Sequence, residues 1–318
     1  MELGFVGLGK MGGNMTLRLV RGSPDGKTPG GHRVVGFAKD PNPDLVNIDG
    51  VSIVNSLEAM IAGLKAPRVV WVMVPAGAST ETVISTLAEL LQPNDVIIDG
   101  GNSHYKDSVR RNEGLAKHSI GFVDAGTSGG IWGRQEGYCM MIGGADAHIS
   151  QCKPIFDTLA PSGGWIHTGA AGSGHFVKMV HNGIEYGMME AYAEGFEVLH
   201  KAPFKLNLEE VASVWNHGSV IRSWLLELAG NVFKQEGDLH AIAPYVVDSG
   251  EGQWTLQAAM EQAVPVPVMA AALFARYASR DEENFGARFT AGLRNQFGGH
   301  AIKRAEEPKL DASGTVKS

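Results

Sequence analysis

Apolar and polar positions follow two different rhythms along the chain, and the change between them divides it. Up to about residue 171, short apolar runs occur at Leu3–Val6, Arg33–Phe37, Arg68–Val74, Asp95–Asp99, Gly121–Ala125 and Trp165–Thr168. Such runs predict buried strands. Between them apolar residues return every three or four positions, which predicts helices over Met11–Gly22, Leu57–Leu64, Ser79–Leu91, Lys106–Lys117 and Ala147–Leu159. The run GYCMMIGG from Gly137 reads as part of a hairpin. Beyond residue 172 strand signals fade, and helical patterns cover Gly172–Glu197, Asn207–Trp215, Ile221–Glu236, Gln253–Gln262, Val266–Ser279 and Phe285–Leu293. Alternation of strands and helices predicts an α/β region with a doubly wound parallel sheet, followed by an all-α region.

The first strand is followed at once by Gly7, Gly9 and Gly12 in G-x-G-x-x-G spacing, and then by a helix. That context is the dinucleotide fingerprint of a Rossmann-type domain: the glycines let a pyrophosphate approach the helix N-terminus. Gly7, Leu8, Gly9, Lys10, Met11 and Gly12 are therefore cofactor candidates. Val74, Pro75 and Asn102, at the ends of later strands, join them. Strand two ends in Phe37-Ala38-Lys39-Asp40. Ala38 stands where an NAD enzyme usually keeps an acidic residue for the ribose. Lys39 suits a 2′-phosphate or simply solvent, and Asp40 is within reach of the ribose. Asp99-Gly100-Gly101-Asn102-Ser103 and Thr127-Ser128-Gly129-Gly130 end two other strands at the edge where such folds hold ligands. The backbone amides and hydroxyl of the second loop suit a carboxylate.

The helix from Gly172 to Glu197 carries the densest chemistry. Lys178, Asn182 and Glu185 recur at i, i+4 and i+7 on one face, with His181 and Tyr186 beside them. Phe176, Val177, Met179, Val180 and Ile184 are expected to bury much of the rest of its circumference. A surface salt bridge is the plain reading of Lys178 and Glu185. The sharper reading is a general base and a general acid on one rigid element, because a lysine in an apolar pocket gives up its proton more readily.

Composition removes other classes. With 318 residues, two domains are expected. The net charge of −7 offers no nucleic-acid footprint. Cys139 and Cys152 lack C-x-x-C spacing, and the 11 histidines show no metal-ligand pattern. No apolar segment is long enough for a bilayer, and no signal core follows the N-terminus, so neither membrane nor nucleic-acid partners are expected and a cytoplasmic place is. The expected division is residues 1–171 for the dinucleotide, 172–305 for substrate and dimerisation, and a polar, disordered tail over 306–318.

G-L-G-K-M-G, I-I-D-G-G-N-S, Ser128-Gly129-Gly130, G-Q-W-T, F-A-R and R-N-Q-F-G-G-H, and above all G-H-F-V-K-M-V-H-N-G-I-E-Y at Gly174–Tyr186, resemble the decarboxylating 6-phosphogluconate dehydrogenases. That family is a branch of the β-hydroxyacid dehydrogenases, and this chain resembles its short-chain members. The resemblance implies oxidation of a phosphorylated sugar acid, 6-phosphogluconate, to ribulose 5-phosphate and CO2 in the pentose phosphate pathway. It makes Lys178 the base at the 3-hydroxyl and Glu185 the acid at C1. Asn182 and His181 would orient hydroxyls, with Asn102, Ser128, Gly129 and Gly130 around the carboxylate. Tyr186, Arg276, Arg294 and His300 would hold the phosphate, the last two from a neighbouring subunit of a homodimer or homotetramer. Two departures stand out. Ser249 and Glu251 replace a lysine and a threonine of the long-chain enzymes, and Ala38-Lys39-Asp40 replaces their NADP-binding triplet. With the long Ser23–His32 loop, this leaves NADP first, NAD next and a deazaflavin third. Another sugar acid, or a non-catalytic dinucleotide-binding role, are the alternative functions.

Overall fold

The computed structural model describes residues 1–304; the tail expected over 306–318 lies outside them. The chain forms two units: Met1–Gly195 with Ser249–Ala270, and Phe196–Asp248 with the segment from Ala271 onward.

In the first unit, β1 (Glu2–Val6) leads into α1 (Lys10–Arg21), β2 (Arg33–Phe37) and β3 (Val51–Val54). Then come α2 (Leu57–Ala62), β4 (Val69–Val72), α3 (Ala78–Leu90), β5 (Val96–Asp99), α4 (Tyr105–Ala116) and β6 (Gly121–Ser128). A short α5 (Gly133–Glu136), β7 (Cys139–Gly144), α6 (Asp146–Leu159) and β8 (Trp165–Gly169) complete the sheet region. The eight strands are ordered β3-β2-β1-β4-β5-β6-β7-β8. All neighbours are parallel except β6 and β7, which run antiparallel from Val123↔Gly144 to Ser128↔Cys139. Strand order reverses between β1 and β4, which opens a ligand crevice at their carboxyl ends.

Strand alternation explains the two-sided cover. Leu3, Phe5, Trp71, Val96, Ile98 and Val123 enter one buried cluster, while Val6, Val70, Val72, Ile97 and Phe122 enter the other. The central strands are thus apolar on both faces, and helices cover both. The strand β3 has no counterpart among the predicted elements. Its four residues lie at the sheet edge with Ser52 and Ile53 exposed, so they carry little apolar signal.

The long helix α7 spans Ser173–His200. Val177 and Ile184, expected to be buried, are 40% and 49% exposed in the single chain. In the second unit, Phe196 of α7 packs its ring 5.7 Å from Trp215 and 4.9 Å from Phe233. Those partners belong to α8 (Leu208–Trp215) and α9 (Trp224–Glu236). The α9 helix starts later than the apolar pattern predicts because Ser223 caps it, accepting from the Leu226 amide at 3.1 Å. Next, α10 (Glu251–Glu261) belongs to the first unit, and α11 (Pro267–Ala278) is followed by α12 (Phe285–Gly298). The α12 helix runs past its predicted end at Leu293, because no breaker precedes Gly298-Gly299 and Gly299 closes it at φ 66°.

The Ser23–His32 loop joins the end of α1 to the start of β2, at the amino ends of the parallel strands. It therefore lies at the strand ends opposite the crevice. At its end His32 is buried and donates from Nε2 to Thr158 Oγ1 at 2.9 Å, that hydroxyl donating in turn to Pro154 O. Burial pushes its pKa down to about 4. Because the folded value lies below that of the unfolded chain, this histidine takes up a proton on unfolding between about pH 6.5 and 4, and stability falls as pH drops through that window. The slope from one such group is at most roughly 1.4 kcal/mol per pH unit. Urea unfolding from pH 7 to 4 should therefore show a shallower loss in His32→Gln than in the wild type; identical pH dependence refutes the assignment.

Candidate active site

At the crevice, Gly7 adopts φ 95°, and a side chain there would strike the Met73 carbonyl. A Cβ on Gly12 would strike the Gly7 carbonyl, whereas one on Gly9 would meet open space. The N-terminus of α1 has no side-chain cap and no acidic residue in its first turn. Close backbone packing beneath an open, uncapped helix start fits a dinucleotide pyrophosphate. Gly7 N donates to Phe37 O at 2.8 Å, which brings the fingerprint loop beside Ala38 and Lys39. Val74 lies against Gly7, and Thr80 Oγ1 holds Pro75 O at 3.0 Å. Lys10 and Lys39 are exposed and Met11 is half-buried. The Leu8 side chain is fully buried in the core, so only its backbone borders the loop.

The second cluster is built around the first turns of α7. The buried Asp124 of β6 accepts hydrogen bonds from Gly172 N at 2.6 Å and His175 N at 2.8 Å, satisfying donors that a helix start leaves open. One turn on, Lys178 crosses β6 at Gly126, where any Cβ would collide with Lys178 and with Gly174 O. Ser128 lies two residues along the same strand, hence on the same face; Gly129 and Gly130 follow it at φ 120° and 52°. Asn102 is presented by the turn after β5. Asp99 shapes that turn, accepting from Gly101 N at 3.2 Å, Ser103 Oγ at 2.8 Å and Arg111 Nη1 at 2.9 Å.

Lys178 Nζ donates to Asn102 Oδ1 and, at 2.6 Å, to Glu251 Oε1. The same oxygen accepts from Asn182 Nδ2 at 2.7 Å. Glu251 opens α10 and is 2% exposed. Burial alone would raise its carboxyl, but the Lys178 ammonium, with smaller help from the Ser249 hydroxyl and the Glu251 amide, holds it below the ordinary carboxylate value. Thr255 Oγ1 lies 2.8 Å from both Met179 O and Glu251 O, fastening α10 across α7.

The cluster thus contains Lys178, Asn182 and Asn102 as the sequence suggests, joined by Glu251, which the sequence placed only as a departure from a familiar pattern. Glu185 is elsewhere on the helix. It is half-buried, with Oε2 3.9 Å from His181 Nδ1, and makes no hydrogen bond to Lys178. His181 pairs with Asn182 Oδ1 at 3.0 Å. Tyr186 is buried; its hydroxyl accepts from Ser249 N at 3.2 Å and lies 3.5 Å from Ser249 Oγ. Arg276, Arg294 and His300 belong to the second unit. There Arg276 Nη1 donates to Val247 O at 3.1 Å. Arg294 sits exposed on α12 itself, one residue past the helix end expected at Leu293, and Asn295 Nδ2 draws the His300 carbonyl back to the helix end at 2.8 Å. No helix among the described residues is long and apolar enough to cross a membrane.

A Rossmann-type sheet with an open fingerprint loop, and a lysine held between an amide and a carboxylate at the same edge, defines a dinucleotide-dependent dehydrogenase. Two family descriptions match nearly the whole chain: the NAD-binding domain of 6-phosphogluconate dehydrogenase over residues 2–172, and the C-terminal domain of that enzyme over residues 174–291. The chain belongs to the 6-phosphogluconate dehydrogenase family of oxidoreductases. It is 40% identical over 310 residues to the Haloferax volcanii NAD(+)-dependent, decarboxylating 6-phosphogluconate dehydrogenase, covering 96% of this chain and all of that one. The Bacillus subtilis NAD(+)-dependent enzyme is 34% identical over 304 residues, covering 90% of this chain and 63% of its own length. The Plasmodium falciparum 6-phosphogluconate dehydrogenase, solved alone, with NADP+ and with 6-phosphogluconate, superposes with a TM-score of 0.77. It is 28% identical, over 98% of this chain and 68% of that one.

The closeness of Gly126 to Lys178 is testable. Gly126→Val should push α7 off β6 and lower turnover by about 10²-fold, the usual effect of a misplacement near 1 Å. Turnover within threefold of wild type would show that this contact does not place the lysine.

Proposed function

We propose that this chain oxidatively decarboxylates 6-phosphogluconate to ribulose 5-phosphate and CO2, with NADP or NAD as hydride acceptor. The observation that carries this reading is Lys178 Nζ, fixed by Asn102 and Glu251 at the edge where the dinucleotide loop opens. Residues 1–171 serve the cofactor, which Gly7–Gly12, Ala38, Lys39, Val74, Pro75 and Asn102 would hold. When bound, its nicotinamide supplies the hydride acceptor. Residues 172–305 serve the substrate and the subunit contact. Lys178, as the neutral amine, takes the proton of the 3-hydroxyl while the C3 hydride leaves; as an ammonium it then polarises the new ketone for loss of CO2. Glu185, half-exposed and beside His181, returns a proton to C1 of the enediol. Its distance from the Lys178 cluster suits a second carbon of the same molecule. Asn182 and His181 orient hydroxyls, and Ser128, Gly129 and Gly130 receive the carboxylate. Tyr186 and Arg276 take the phosphate. A highly charged sugar acid does not cross membranes unaided, which supports a cytoplasmic place of action.

Oligomerisation belongs to the same reading. On α12, Phe285, Phe289, Leu293 and Phe297 recur every four residues and are all at least half exposed, forming an apolar stripe that supports burial against a second copy. Arg294 lies on that helix and His300 just after it. Each α12 therefore carries both groups to the partner's phosphate site in a dimer or a multiple of one.

Purified protein should turn over 6-phosphogluconate with NADP or NAD, and absence of turnover with both defeats the proposal. Lys178→Met should lower turnover by about 10²–10⁴-fold with substrate affinity within tenfold. Arg294→Ala should cost about 2–5 kcal/mol of substrate binding. Exchanging subunits between these two inactive variants should restore activity, because one site of each hybrid holds both residues; inactive hybrids place Arg294 in its own subunit's site or in none.

Cofactor choice is tested at the end of β2. Ala38→Asp should shift preference from NADP toward NAD, adding ribose hydrogen bonds and repelling a 2′-phosphate. An unchanged preference ratio in steady-state assays puts the adenosine elsewhere.

A further inference from the structure

Glu251 has no role in the chemistry just described, yet it is the carboxylate in contact with Lys178. Its Oε1 accepts from both Lys178 Nζ and Asn182 Nδ2, at 2.6 and 2.7 Å. The Ser249 hydroxyl and the Glu251 amide also act on this carboxylate, but Lys178 and Asn182 are the partners that meet it in full hydrogen-bonding geometry, both at Oε1. A carboxylate kept only for stability is poorly served this way. An ion pair in the interior roughly breaks even at best against apolar packing. Nor is the contact a casual one. The Thr255 hydroxyl reaches the Met179 carbonyl and so holds the first turn of α10 against α7, where the Glu251 side chain is 2% exposed beside Lys178.

We propose that Glu251 is a positioning residue for the oxidation step: it fixes Nζ against Asn102 and compensates the charge that Lys178 acquires. The inference rests on the proposed function above. In that step the O–H bond at C3 breaks, an N–H bond forms on Lys178, and the C3 hydride leaves with its electron pair to the nicotinamide. Lys178 becomes an ammonium, and the Glu251 carboxylate already faces it; Glu251 itself takes no proton. A carboxylate that stabilises the cation formed on a neighbouring base, without being protonated, is an established device of serine-protease triads. The ion pair in the structure is the arrangement reached after proton transfer, so no reorganisation is needed as the charge develops. The sequence signal is slight. A glutamate between two glycines at a helix start also reads as a favourable partner for the helix dipole.

The experiment compares wild type, Glu251→Gln and Glu251→Ala with 6-phosphogluconate and each nicotinamide cofactor, with thermal unfolding to confirm that each variant is folded. Glu251→Gln, which keeps the shape and removes the charge, should lower kcat by about 10²-fold or more with KM within roughly threefold. Formate should restore part of the kcat of Glu251→Ala, while chloride at equal ionic strength should not. A purely structural side chain would show neither the split nor a carboxylate-specific rescue. Wild-type kcat in Glu251→Gln, or formate no better than chloride, overturns the inference and leaves the proposed function standing. An inactive wild type overturns the proposed function and this inference with it.

Discussion

The whole arrangement depends on the carboxylate of Asp124. It lies fully buried on β6 and receives two amides from the start of α7. Those amides would otherwise be orphaned in the interior, at about 1–3 kcal/mol each. The negative charge also faces the positive end of the α7 dipole. A second tie joins His175 Nδ1 to Ser108 Oγ of α4 at 2.7 Å. The 28-residue helix therefore begins at a fixed point on the sheet, and Lys178 follows one turn later over Gly126. Every feature of the Lys178 cluster inherits its place from that origin.

The sheet was largely legible in the residues because strands buried on both faces are nearly continuous apolar runs. LGFV, VVWV and VIID announce themselves before any neighbour is known. An edge strand lacks that property, and VSIV at β3 passed unseen. The late start of α9 and the extension of α12 have similarly local causes, a serine cap and a pair of glycines. Periodicity reads the middle of a helix better than its ends.

The cluster was legible only along one element. Spacing on α7 correctly put Lys178 and Asn182 on one face, but it could not say which residue from another helix would meet them. Glu251 lies 73 positions from Lys178 and is brought there by tertiary packing, through Thr255 and the close fit of Gly252 to the Tyr186 ring. Glu185 shares the helix face and lies two turns beyond Lys178, the separation read from the sequence, with its carboxylate 3.9 Å from His181. Asp99 stands in the sequence as the first residue of a loop at the ligand edge, whereas Asp124 carries no signal beyond the strand around it. Nothing in their spacing foretold that one shapes the Asn102 turn and the other anchors a helix.

The Ser23–His32 loop offers a different kind of freedom. It closes on itself: Gly22 bridges Pro29, Ser23 Oγ donates to Asp25 Oδ1 at 2.6 Å, and Thr28 N donates to Ser23 Oγ at 2.8 Å. The Gly22–Pro29 bridge and the Thr28–Ser23 bond hold its ends together on either side of the tip, and the loop stands at the strand ends opposite the crevice. Lengthening a loop whose ends are already joined costs only about 0.6 kcal/mol for each doubling. The tip around Asp25-Gly26-Lys27 is accordingly a natural splice point, where a reporter peptide or a tether to a solid support could be grafted while the chemistry proceeds undisturbed on the opposite edge.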